Sequence, residues 1–143
     1  MVNRNLLATK LADLADRVSR VRAHAPAVAA ELGADRDALD LISFNLMLCI
    51  QICADIASHL IADEGWPTAS TLAEGFTRLI ERGVISESTG EALRNAVGFR
   101  NVVAHGYSRI DLSAAHRAAT AGLADLEAFA REIAGWSAAH LAD

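Results

Sequence analysis

The sequence contains little of what would assign it to several large classes of protein. Its two cysteines, Cys49 and Cys53, are too few for a zinc site, and a helical pair four residues apart rarely closes a disulfide. Lys10 is the only lysine, so arginine carries nearly all of the positive charge, and arginine suits bidentate contacts with phosphate. The sequence shows no strand-like alternation, internal repeat or low-complexity segment. These absences favour a helical fold in a reducing compartment.

Long uninterrupted apolar segments are also missing. The first five residues lack the apolar core of a signal peptide. The longest apolar run is interrupted by Asp55, His59 and Asp63, and no stretch reaches the roughly 20 residues that cross a bilayer. We therefore expect a cytoplasmic protein with no membrane association.

The composition that remains is that of one domain with surplus apolar surface. The 143 residues fit a single domain spanning residues 1–143. Apolar residues make up 52% of the chain, which is high for a monomer of this size and predicts burial against another chain, as in a homodimer. The net charge of −5 argues against broad electrostatic capture of nucleic acid, but it leaves room for a local basic site.

Helical periodicity dominates the first half of the chain. Apolar residues recur every three or four positions from about residue 4 to residue 24, which predicts an amphipathic helix. The segment 26–33, bracketed by a proline and a glycine, predicts a break or loose turn. Asp35 or Asp37 then caps a long helix that reaches about residue 62. Because this helix is apolar on most faces, it belongs at the centre of a bundle or in an interface.

Three more helices are expected in the second half. The segment 65–68, Gly-Trp-Pro-Thr, is the clearest loop in the chain. Capping and stop residues predict helices from 70 or 71 to 82, from 86 to a stop at 106, and from 111 or 113 toward the C-terminus. The predicted fold is all-α, an up-and-down bundle of about five helices.

One stretch, residues 99–107, concentrates side chains that can do chemistry. Asn101 and His105 share a helix face, because positions four apart differ by about 40° in azimuth. Arg100 and His105 differ by about 140°, so they converge only if the helix ends near residue 104 and the following glycine turns the chain. Tyr107 projects from the same corner.

An arginine, a histidine and an amide close together suit metal-independent cleavage of RNA. An imidazole can remove the ribose 2′-OH proton or protonate a leaving group near neutral pH, and a guanidinium can clamp phosphate oxygens. No cluster of carboxylates points to a two-metal site, so no metal or other cofactor is expected. The same residues also fit a structural ion pair or a helix cap, and the residues alone leave these alternatives open.

The run from Gly98 to Tyr107, followed by Ile110 and Asp111, resembles the signature of HepT-like toxins in the HEPN superfamily. The match reads Arg-Asn-x3-His-x-Tyr, with Ile-Asp three and four places after the tyrosine. The long apolar helix, the Gly-Trp-Pro loop and the following helix occur in the same order, so the resemblance covers about residues 4–138. One departure is the small apolar run 102–104, where relatives often carry a basic or larger residue.

The resemblance implies the HEPN fold and a metal-independent endoribonuclease, the toxin of a type II toxin–antitoxin pair. It implies that Arg100 and His105 are catalytic and that Asn101 orients the site or contacts phosphate. It makes Tyr107 the position that an MntA-like nucleotidyltransferase antitoxin modifies with AMP, and the added phosphate would exclude RNA phosphate from the site. It also implies a homodimer with both motifs facing one cleft.

Three polar residues on the long helix are left with two interpretations. Gln51, Asp55 and His59 recur every four positions on an otherwise apolar helix, and buried polar groups need partners. They either form a structural network or support the catalytic residues. Two other functions also fit the sequence: a non-enzymatic HEPN module that binds nucleotide or docks a nucleotidyltransferase, and a purely structural helical dimer.

Overall fold

The computed structural model describes residues 4–141. This part of the chain contains seven α-helices and one short 3-10 helix, joined by loops. The helices are α1 Arg4–His24, α2 Ala30–Ala34, α3 Arg36–Glu64, α4 Leu72–Glu81, α5 Glu87–His105, α6 Leu112–Ala119 and α7 Ala121–His140, with the 3-10 helix at Tyr107–Arg109. No strand occurs in residues 4–141. The predicted all-α bundle is confirmed, although about five helices was too low a number.

Two segments account for the extra helices. Residues 26–33, predicted as a loose turn, contain most of α2, which buries Leu32 completely in the core. The single C-terminal helix predicted from 111 or 113 is broken at Thr120, which ends α6 and precedes α7. The Thr120 hydroxyl donates a hydrogen bond of 2.7 Å to the carbonyl of His116, and such local side-chain bonds compete with the helical ladder.

Side-chain caps fix where four of the helices begin. The side chains of Asp35, Thr71, Ser86 and Asp111 each accept a hydrogen bond from a backbone N–H in the first turn of the following helix. These bonds satisfy backbone donors that have no partner inside the helix. Where the sequence left two candidate caps open, the structure shows which one is used: residue 35 rather than 37, 71 rather than 70, and 111 rather than 113.

α3 is the central element of the bundle and packs against α1, α4 and α5. Its buried face includes Ile42, Leu46 and both cysteines, which are free thiols. Burial raises the pKa of the Cys49 thiol to about 12, so this thiol is protonated and unreactive at neutral pH. The cysteines are therefore core residues of α3.

α3 is also, among residues 4–141, the one helix long and apolar enough to cross a membrane by length and composition. An 18-residue window of this helix has a mean hydropathy of 1.7, and 56% of that window is buried inside the protein. The core helix of a bundle has the same profile. The apolar surface that α3 leaves outward is centred on Phe44, which is 53% exposed.

Candidate active site at the C-terminal end of α5

Arg100 is held from two sides near the end of α5. Its Nη1 donates a hydrogen bond of 3.0 Å to Oδ1 of Asn101, and its Nη2 donates one of 3.0 Å to Oε1 of Gln51 on α3. The third nitrogen, Nε, is buried without a hydrogen-bond partner in residues 4–141. A guanidinium fixed in this way keeps its charge in one place, which is what recognition of a phosphate needs.

Gln51 connects Arg100 to a carboxylate on α3. The Nε2 of Gln51 donates a hydrogen bond of 3.1 Å to Oδ1 of Asp55, one turn further along the helix. The glutamine therefore has its carbonyl toward the arginine and its amide nitrogen toward the aspartate. His59, the third polar residue of this row, is exposed and has no hydrogen bond or ion pair in the described part of the chain. The structure thus brings Gln51 and Asp55 to Arg100, and it leaves His59 outside the network.

His105 is the last residue of α5, so the predicted stop at residue 106 is confirmed, and the end near residue 104 that a convergence of Arg100 and His105 requires does not occur. Its ring is exposed and forms no hydrogen bond or ion pair within residues 4–141. The predicted convergence of Arg100 and His105 does not arise as a contact within one chain. The imidazole instead lies at the surface, where either nitrogen can exchange a proton with a bound molecule.

Gly106 ends α5, and its backbone is not left-handed. Its φ of −151° is open to other residues, so backbone conformation does not explain the glycine. A Cβ on Gly106 would lie 2.6 Å from a guanidinium nitrogen of Arg109, but this is the far end of an exposed, flexible side chain that can move aside. The structure therefore imposes no strict requirement for glycine at this position.

Tyr107 begins the 3-10 helix and is tied to α3. Its hydroxyl donates a hydrogen bond to Oδ1 of Asp40, near the start of that helix. Burial and this carboxylate raise the pKa of the phenol, and the Ser43 hydroxyl and the Arg36 charge act in the opposite direction. The contact with Asp40 was not predicted, because the two residues are 67 positions apart and nothing local in the sequence pairs them.

Potential metal ligands are scattered in the described part of the chain. Among residues 4–141, no group of three or more histidine, cysteine, aspartate or glutamate side chains is placed to hold a metal ion. Two acidic residues connected to the motif, Asp55 and Asp40, each accept a hydrogen bond from a polar side chain instead.

A helical bundle with this motif at the end of α5 defines a class, the HEPN proteins, and comparison with known proteins gives the family. The model of the family described as "Ribonuclease HepT-like" matches residues 14–133. The chain belongs to this family.

Two curated relatives cover part of the chain. A candidate RNase of Archaeoglobus fulgidus is 34% identical over 79 residues, which make up 55% of this chain and 59% of the relative. The mRNA nuclease HepT of Shewanella oneidensis is 28% identical over 90 residues, or 63% of this chain and 68% of that protein. The match therefore spans less than two thirds of the archaeal relative.

A solved structure matches nearly the whole chain. It is the tri-AMPylated HEPN toxin of S. oneidensis in complex with an MNT antitoxin, with a TM-score of 0.85 at 23% sequence identity. The superposition covers 94% of this chain and 99% of that toxin chain. At this level of identity the likeness establishes the HEPN fold.

Proposed function

We propose that this protein is a ribonuclease toxin that cleaves RNA without a metal ion, with Arg100 and His105 as its catalytic residues. The observation that carries the proposal is the fixed guanidinium of Arg100 within the Arg-Asn-x3-His-x-Tyr motif of a HepT-like chain. Gln51 and Asn101 hold that guanidinium, so its charge is already in place when a phosphate arrives.

The chemistry follows from these two side chains. The His105 imidazole removes the proton of a ribose 2′-OH, whose oxygen then attacks the adjacent phosphorus. Arg100 stabilises the additional negative charge of the pentacovalent phosphorane, and Asn101 both supports the arginine and offers its amide to phosphate. The bond from phosphorus to the 5′-oxygen breaks, and a protonated imidazole returns a proton to that oxygen.

A homodimer supplies the second half of the cleft in this proposal. Phe44, Leu48 and Ile52 recur every four residues along the outward face of α3, and Phe44 is among the few large apolar residues that stay exposed. Gln51, which holds Arg100, lies on the same face of α3. A second copy packed on this face would bury the apolar row and bring two motifs together, including the His105 ring, which has no hydrogen bond within residues 4–141.

The partner and the regulation come from the relatives. The S. oneidensis HEPN toxin that this chain resembles is tri-AMPylated and complexed with an MNT antitoxin. We extend both features to this chain: a nucleotidyltransferase antitoxin of the MntA type binds it in the cytoplasm and adds AMP to Tyr107. The added phosphates place negative charge two residues from His105 and so exclude RNA.

Cleavage of RNA in the presence of EDTA tests the catalytic assignment. Wild-type chain shown by intact mass to be unmodified is expected to cleave RNA, and Arg100→Ala or His105→Ala is expected to lower the rate at least 100-fold. Arg94→Ala is the matched control, because Arg94 lies on the same helix and pairs with Glu91 at its surface.

Three results contradict the assignment. Activity that disappears with EDTA and returns with a divalent metal removes the metal-independent mechanism. Equal loss in Arg94→Ala removes the specific role of Arg100. Tight nucleotide binding by a wild-type chain that leaves RNA intact favours the non-enzymatic module.

A further inference from the structure

The contact between Tyr107 and Asp40 has no role in RNA cleavage as described above. It joins the 3-10 helix after α5 to the first turns of α3, across 67 positions of sequence. Asp40 is exposed and Tyr107 is partly buried, so the carboxylate is open to solvent while it accepts the hydrogen bond from the phenol. The one atom of Tyr107 that can be modified is therefore already engaged by an acidic side chain.

A positively charged side chain and a hydroxyl group lie near this contact. Arg36 lies one turn before Asp40 on α3, and its charge is close enough to Tyr107 to favour the phenolate. Ser43 is buried three residues after Asp40 on α3, and its hydroxyl also favours the phenolate. Arg109, at the far end of the 3-10 helix, folds back over Gly106. The phenol thus has a proton acceptor against it and the positive charge of Arg36 near it.

We propose that Asp40 is the residue of this chain that positions the Tyr107 hydroxyl for nucleotide transfer and takes up its proton. The inference rests on the proposed function, in which Tyr107 is the modified residue. The phenolic oxygen forms a bond to the α-phosphorus of a nucleoside triphosphate, and the bond from that phosphorus to the β-phosphate oxygen breaks. Pyrophosphate leaves, and the phenolic proton passes to the Asp40 carboxylate and then to water.

The geometry favours proton uptake by Asp40 over a purely structural role in which Asp40 only holds Tyr107 against α3. A phenol is a weak nucleophile until its proton is removed, and a carboxylate within hydrogen-bond reach is the group that removes it. The hydrogen bond also directs the oxygen toward the solvent side of α3, where Asp40 is exposed. After transfer the phenolic oxygen has no proton to donate, and the new phosphate repels the carboxylate. The modified tyrosine is therefore expected to leave Asp40.

Variants of Asp40 distinguish uptake of the proton from a hydrogen bond that only holds the Tyr107 hydroxyl in place. Asp40→Asn keeps an oxygen that accepts the hydrogen bond but cannot take the proton, Asp40→Ala removes both functions, and Asp40→Glu restores the carboxylate. Asp37→Asn is the matched control, because it neutralises another exposed aspartate in the first turn of α3. Each full chain is incubated with ATP, magnesium and the MNT antitoxin of S. oneidensis, and AMP addition is followed by intact mass.

The expected result is a loss of rate without a loss of fold. Asp40→Asn lowers the initial rate of AMP addition about 100-fold at pH 7, and the rate recovers as pH rises because hydroxide then removes the phenolic proton. Asp40→Glu regains part of the rate, Asp37→Asn behaves like the wild type, and the far-UV spectrum and thermal midpoint confirm that each variant is folded.

The outcomes distinguish this inference from the function on which it rests. Wild-type rates in both Asp40→Asn and Asp40→Ala overturn the role of Asp40 while the modification of Tyr107 stands. A rate for Asp40→Asn that is low but independent of pH overturns proton uptake. A wild-type chain that gains no AMP, or gains it equally in Tyr107→Phe, overturns the proposed regulation and the role of Asp40 with it.

Discussion

At the scale of single residues, the site depends on side chains that hold other side chains. Arg100 carries the charge, but Gln51 and Asn101 determine where that charge lies, and Asp55 orients Gln51 in turn. A displacement of about 1 Å in a catalytic group can cost about 100-fold in rate, so such supporting bonds matter as much as the charged group itself. Within the described residues 4–141, His105 has no support of this kind, which fits a residue whose surroundings are completed by a second molecule.

The ionisation of Tyr107 can be measured directly because it is the only tyrosine in the chain. Absorbance near 295 nm, followed as pH rises, is expected to give a pKa above the ordinary value of 10, since burial and the Asp40 carboxylate both disfavour the phenolate. Asp40→Asn is expected to lower this pKa, while the burial that remains keeps it from falling further. Asp37→Asn should leave it unchanged.

The raised pKa of Tyr107 also makes the stability of the protein depend on pH. Because the folded protein holds the phenolic proton more tightly than the unfolded chain, the stabilisation is complete below about pH 10 and is lost as pH rises through the folded-state pKa. Urea unfolding at pH 8 and pH 11 checks this, with Tyr107→Phe as the reference. An equal loss of stability from pH 8 to pH 11 in the wild type and in Tyr107→Phe would contradict the raised pKa of Tyr107.

At the scale of elements, α5 is placed by its beginning and by its packing on α4. Ser86 caps the helix, and Glu132 of α7 accepts hydrogen bonds of 2.5 Å from the backbone N–H of Ser86 and from the Thr89 hydroxyl. Burial disfavours the charged carboxylate, but the bonds from Thr89 and Ser86 outweigh it and lower the pKa of Glu132. The start of α5 is therefore bonded to α7. Because α5 is one continuous helix, this bond also helps to fix the position of the motif at its other end.

Gly90 of α5 lies against Ile80 of α4, and its replacement tests this packing. A Cβ at position 90 would lie 2.2 Å from Cδ1 and 2.3 Å from Cγ1 of Ile80. Gly90→Ala is therefore expected to destabilise the protein by about 1 kcal/mol or more, although alanine is the better helix former. Equilibrium unfolding in urea measures the change.

Gly135 provides the matched control for that substitution. It lies inside α7, is exposed, and has nothing within 4 Å of an added Cβ. Gly135→Ala is expected to stabilise the protein by about 0.5–1 kcal/mol through helix propensity alone. A stabilising Gly90→Ala would show that Ile80 moves aside freely and that the two helices are not closely packed there.

At the scale of the whole molecule, the outward face of α3 is the surface that a second copy covers in the proposed dimer. The chain is rich in apolar residues, and most of them serve one core; among residues 4–141, Phe44 and Val28 are the large ones that stay exposed. Only Phe44 lies on α3 in line with Leu48 and Ile52 and on the face that carries Gln51. This is why the proposed dimer uses that face, and it links assembly to activity.

Substitution of Phe44 tests the dimer directly. The wild-type chain is expected to run with twice its mass of 15.1 kDa in size-exclusion chromatography with light scattering, and Phe44→Glu is expected to run as a monomer with reduced RNA cleavage. Val28→Glu is the control, because Val28 is 52% exposed against 53% for Phe44 but lies away from α3. A monomeric wild type that still cleaves RNA would contradict the proposal.

The elements of the fold were largely predictable because their signals are local. The stripe of α1, the cap of α5 at Ser86 and the loop after α3 are each encoded within a few neighbouring residues. The sequence did not reveal α2 or the break at Thr120, since α2 is a short helix that buries Leu32 in the core and Thr120 interrupts an otherwise continuous helical pattern.

The sequence by itself determined the helices, most of their ends and the motif that holds Arg100, Asn101, His105 and Tyr107. The tertiary structure alone decided which side chains meet: Arg100 with Gln51, 49 positions away, and Tyr107 with Asp40, 67 positions away. The physical reason is one of range. Helical periodicity and capping act over three or four residues, whereas contacts between helices depend on how the whole core packs.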